Sequence, residues 1–125
     1  MKRDMDLVRR IALATTELAP DTVLSALDGV DEHVFVMHVQ WMVEAGLLHA
    51  ALAGGGSAAP AKFAGVYRLT WAGCEFADAV RSDTLWAKAK SNVIKPTASF
   101  TFDVLKDWLK TEITQGLPTL GRLAS

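Results

Sequence analysis

Residues 31–70, DEHVFVMHVQWMVEAGLLHAALAGGGSAAPAKFAGVYRLT, decide the fold. Asp31 suits a helix N-cap, and apolar residues follow at helical spacing through Val34, Phe35, Val36, Val39, Trp41, Met42 and Val43. Gly46 stands where helices end in a left-handed residue, so the helix covers 31–45. Residues 47–52 then read as a strand, 54–60 as a soft glycine-rich loop, and 63–70 as the returning strand. Strict alternation puts Tyr67 and Leu69 on one side of that strand and Val66 and Arg68 on the other. A helix, a glycine stop and a long-tipped hairpin, in that order, put 31–45 in the position of a reading helix before a wing, whether it reads a groove or serves as a packing element.

Upstream, Asp4 caps a helix whose core stripe is Leu7, Val8, Ile11, Ala14 and Leu18, ended by Ala19-Pro20-Asp21. Residues 22–27 read as a short strand closed by Asp28-Gly29. Downstream, Thr70 caps a helix carrying Trp71, Cys74, Phe76, Ala77 and Val80, and Ser82-Asp83-Thr84 restarts it before Leu85 and Trp86. Pro96 interrupts. Thr101 caps a last helix with Phe102, Leu105, Leu109 and Ile113 on one stripe, Val104 and Trp108 beside it, and a loose tail behind Gly116.

The order implies an α+β fold: a winged-helix-like core (helix, short strand, helix, β-hairpin wing, helix) with a C-terminal helical extension. The expected division is a winged-helix-like domain over 1–95 and, over 96–125, a helix and tail that pack on the core or on a partner. One element is missing. A helix-turn-helix places a support helix directly before the reading helix, and residues 20–30 are too short and too strand-like to supply it.

Several blocks carry a family resemblance: MKRDMDLVRRI at the start, HVQWMVEAGLL in the middle, and RLTWAGCEFADAVRSDTLWAKAK followed by FTFDVLKDWL. Together they resemble an uncharacterised bacterial and prophage family, number 2513 of the domains of unknown function. The resemblance spans nearly the whole chain and implies a winged-helix-like fold and a phage or mobile-element origin. It brings no catalytic residue, ligand or partner with it.

Charge works against the usual role of such a fold. No lysine or arginine occurs from Ile11 to Ala61, whereas Glu17, Asp21, Asp28, Asp31, Glu32 and Glu44 give that stretch a formal charge of -6. Positive charge supplies most non-specific affinity for nucleic acid, and base readout needs Arg, Lys, Asn or Gln at the start of the reading helix. The wing offers only Lys62 and Arg68. A DNA-binding regulator is therefore the second reading, using a non-standard basic surface drawn from Arg9, Arg10, Lys62, Arg68, Lys88, Lys90 and Lys95.

Signs of an enzyme are weak. His33 and His38 are five residues apart, about 140° around a helix, and so cannot share a metal as an i,i+4 pair would. His38 falls opposite the polar stripe of His33, Gln40 and Glu44 and reads as a core histidine bonded to a backbone carbonyl. Gly54-Gly55-Gly56 lacks the Lys-Ser/Thr of a phosphate loop. The expectation is no catalytic residue, cofactor, metal or small-molecule substrate. The lone Cys74 reads as an inert structural thiol in a reducing cytoplasm, and no eighteen-residue apolar run suggests a membrane span.

The first reading is thus a non-enzymatic module for macromolecular contact, mainly with protein. Its anchors would be Phe35, Trp41, Trp86, Trp108, Leu109 and Ile113, because large aromatic and aliphatic groups make effective interface centres. The expected partners are a second copy, through the terminal helices, and a bacterial or phage protein.

Overall fold

The computed structural model describes residues 1–56, 59–94 and 101–116. Helix α1, Met5–Thr16, starts where the Asp4 carboxylate accepts the N–H groups of Asp6 (2.9 Å) and Leu7 (3.3 Å). It buries Leu7, Val8, Ile11, Ala12 and Thr15, and Leu18 lies beyond its end. The expected strand at 22–27 shrinks to one antiparallel bridge, Leu24 to Val66, with N–H to O distances of 3.0 and 2.8 Å. Asp21 turns the chain just before it (φ 62°), and a turn from Val30 N–H to Leu27 O closes just after, so little extended backbone is left between.

Helix α2, Glu32–Glu44, is capped by the Asp31 carboxylate, which accepts His33 N–H at 2.9 Å and Val34 N–H at 3.3 Å. It ends in a Schellman motif. Gly46, at φ +78°, donates to Val43 O, and Leu47 donates to Met42 O, while the side chains of Leu47 and Met42 are both buried. This motif turns the chain directly into β1, Leu48–Ala53, which pairs antiparallel with β2, Phe63–Leu69.

The alternation expected along β2 fails at one residue. His49 pairs with Arg68 and Ala50 with Val66, which leaves Tyr67 as the extra residue of a β-bulge. The bulge shifts the parity of the strand. Val66 and Leu69 both turn into the core, and Tyr67 and Arg68 are both exposed.

Helix α3, Trp71–Val80, follows Thr70, whose hydroxyl accepts Gly73 N–H at 2.9 Å and donates to Gly46 O at 2.5 Å. Its inward residues are Gly73, Phe76, Ala77 and Val80. Gly73 is required there, because a Cβ would collide with the backbone oxygen of Leu47 and lie 3.1 Å from Leu69 Cβ.

The chain forms two compact units, Met1–Ala77 and Asp78–Ser125, which divide inside α3. In the second unit Ser82 caps α4, Asp83–Ala89, which runs into a π-helical segment, Lys90–Ile94. Thr101 caps α5, Phe102–Gly116, and α5 packs on α4 and on the π segment. Leu105 and Leu109 are fully buried in consequence. Helix, bridge, helix, hairpin and helix make an α+β, winged-helix-like core with a C-terminal helical extension.

Candidate interaction surface

α2 occupies the position of a reading helix. Phe35, Val36, His38, Val39 and Met42 point inward; Glu32, His33 and Glu44 are exposed, and Met37, Gln40 and Trp41 are half-buried between them. No cation stands on this helix. Its one amide is already engaged, since Gln40 Oε1 accepts the N–H of Ala61 at 3.1 Å and so holds the returning limb of the hairpin loop. His38 is the expected core histidine: its Nδ1 lies 2.7 Å from Val34 O. Its Nε2 makes a second bond that local sequence does not indicate, to the backbone N–H of Asp4 at 2.9 Å.

The hairpin carries the apolar surface. Ala64, Val66 and Leu69 face the core, so Phe63, Gly65 and the bulged Tyr67 face solvent, with Phe63 61% and Tyr67 56% exposed. Val23 flanks Gly65, within 3.8 Å of where a Cβ would stand, and is itself exposed. Just past the strand, Trp71 is 82% exposed. Between Glu44 and Glu75 there is no acidic residue, while Lys62, Arg68 and, opposite Arg68, His49 are present.

Phe63 and Tyr67 are not singled out by a reading of the strand pattern alone. Tyr67 is hidden by the bulge. Trp71 could have been found, because at helical spacing it shares a face with Glu75 and Asp78 rather than with Phe76 and Val80. Cys74 also lies on the exposed side of α3, not in the core stripe.

The anchors expected from the sequence separate into two groups. Phe35, Trp86 and Leu109 are buried within the chain, at 1%, 4% and 1% exposure, so they serve as core and present no contact surface. The wide apolar face of α2 is consumed by α1 and the hairpin, and that of α5 by α4 and the π segment. Trp41, Trp108 and Ile113 are half-buried, with Trp41 edge-on to His38 at 5.1 Å between ring centroids.

The candidate basic residues fall in both units. Arg9, Arg10, Lys62 and Arg68 belong to the first unit, Lys88 and Lys90 to the second, and Lys95 lies outside the described residues. Arg10 donates to Asp28 O at 2.7 Å and Arg68 to Leu69 O at 3.1 Å. Among the described residues, none of the six acids between Ile11 and Ala61 forms an ion pair. Their charge is left facing water.

Gly54 and Gly55 of the hairpin loop are structural. A Cβ on Gly54 (φ +82°) would lie 2.8 Å from Lys62 Cβ, and one on Gly55 would lie 2.8 Å from Pro60 O, so they let the two limbs close on each other. Among the described residues no three His, Cys, Asp or Glu side chains are placed to hold a metal ion, and no helix is long and apolar enough to cross a membrane.

Residues 2–99 match the family model described as "Hypothetical protein (DUF2513)". The chain belongs to the DUF2513 family. An uncharacterised protein of Haemophilus influenzae is 28% identical to this DUF2513 chain over 121 residues, covering 94% of it and 99% of the relative. No solved structure matches. The matched span takes in α1, α2, the hairpin, α3 and α4 of this DUF2513 protein, and with them Phe63, Tyr67 and Trp71.

Proposed function

We propose that this chain is a non-enzymatic contact module that binds protein, through the solvent face of its hairpin. The observation that carries the reading is the pairing of two surfaces. The hairpin and the start of α3 expose Phe63, Tyr67 and Trp71, whereas α2, in the reading position, offers Glu32, His33 and Glu44 and no cation. Exposed aromatic groups in one short stretch are what protein interfaces use as anchors. Carboxylates at the helix N-terminus would instead face the phosphates of a duplex.

A photo-crosslinking side chain at position 63 or 67, irradiated in bacterial extract, should give adducts of protein mass. In parallel, anisotropy titration of mixed-sequence duplexes should show only weak binding. Tight duplex binding with a clear negative salt slope, and no protein adduct, would sink the reading. It would favour a DNA-binding regulator that uses Lys88, an exposed cation on α4.

A further inference from the structure

We infer that the hairpin pairs edge to edge with a second copy of itself, β1 against β1 across a twofold axis. This rests on the reading of the hairpin as a protein-contact element, extends it from the solvent face to the β1 edge, and names the partner. Val66 in β2 pairs with Ala50 on one side and with Leu24 on the other, so β2 is interior and β1 is the outer strand. The outward N–H and C=O groups of β1 meet no further strand among the described residues.

Edge strands are ordinarily protected from such pairing by lysine, proline or charge. β1 reads Leu-His-Ala-Ala-Leu-Ala and has none of these. Beyond the bulge its register is regular from Ala50 to Ala53, and His49, Ala51, Leu52 and Ala53 are exposed. Pairing over the whole strand would turn a two-stranded hairpin into a four-stranded sheet, past the size at which sheets become independently stable.

Charge complementarity points to a second copy as the occupant. Antiparallel pairing over all of β1 sets Leu48 opposite Ala53 of the other copy, so the base of one hairpin lies beside the tip of its mate. At the base stands Glu44, the last residue of α2. At the tip stands Lys62, whose backbone N–H donates to Ala53 O at 2.8 Å. Both are exposed, and neither has an ion-pair partner among the described residues. The twofold forms this acid-to-base approach twice, and the strand itself brings no like charges together.

The test is sedimentation equilibrium of the full chain over a concentration series, with circular dichroism confirming that each variant folds. The wild type should dimerise. Glu44→Lys and Lys62→Glu should each raise the dimer Kd by about tenfold, from two weakened exposed pairs, and the double variant should recover wild-type affinity. A chain that stays monomeric, or a dimer indifferent to both charge changes, overturns the inference. Crosslinks from position 63 or 67 to other proteins by a monomeric chain would sink the self-pairing while leaving the broader contact reading standing.

Discussion

His38 accepts the backbone N–H of Asp4 on its Nε2 at 2.9 Å, joining the middle of α2 to the cap of α1. In a capping box the side chain three residues into the helix returns to bond the cap N–H. Here that position is Leu7, which cannot, and His38 supplies the acceptor from another helix. Because a backbone N–H can only donate, Nε2 is unprotonated, and the ring proton sits on Nδ1, donating to Val34 O at 2.7 Å.

Two variants separate the parts of this contact. His38→Phe keeps most of the volume but strands the Asp4 N–H, and should cost about 1–3 kcal/mol. His38→Ala adds a cavity at a site only 1% exposed and should cost more, about 2–5 kcal/mol. Urea unfolding measures both. Equal losses for the two would show that the hydrogen bond, not the packing, carries the whole effect.

Gly73→Ala sets two terms against each other. Alanine gains about 1 kcal/mol over glycine in a helix interior, but the new methyl would collide with the backbone oxygen of Leu47. That oxygen cannot retreat freely, since it also accepts Thr70 N–H at 2.9 Å. Overpacking costs about 1–3 kcal/mol and here involves backbone rather than a flexible side chain, so a net loss of stability is expected. Cys74→Ala, one residue on and exposed, should stay within about 0.5 kcal/mol of wild type. A stabilised Gly73→Ala would mean that α3 sits farther from the strand.

What the sequence disclosed and what it concealed have physical causes. The caps at Asp4, Asp31, Thr70 and Thr101 are local hydrogen bonds between residues two or three apart, so composition and order were enough to place them. The acidic tract is a property of the sequence and survives folding without counter-ions. Tyr67 could not be placed, because its orientation depends on a register slip against β1, a partner set by the fold. Phe35, Trp86 and Leu109 read as anchors because hydrophobicity alone does not say which apolar faces find a neighbour within the chain. The Asp4–His38 bond spans 34 residues and has no local signature.

Gln40 should act on the hairpin loop and on little else. Its Oε1 accepts Ala61 N–H, and a bond of this kind contributes about 0.5–1.5 kcal/mol net. Gln40→Ala should therefore speed hydrogen exchange at Ala61 by up to roughly tenfold. The neighbouring Lys62 N–H, bonded to Ala53 O at 2.8 Å, should change much less. Equal acceleration at both would mean that the side chain supports the whole hairpin end and not one limb of the loop.

Two tryptophans that look alike in the sequence should respond in opposite ways. Trp86 is 4% exposed among the buried residues of the second unit, so Trp86→Ala should cost about 3–5 kcal/mol. Trp71 is 82% exposed, and Trp71→Ser should leave the unfolding midpoint nearly unchanged. If Trp71 belongs to the contact surface of the hairpin, the same substitution should weaken partner binding while leaving the fold intact. Chemical denaturation paired with crosslinking yield from position 67 reads both effects on one sample. Loss of stability at Trp71 as large as that at Trp86 would show that its ring is covered, and would remove it from the proposed surface.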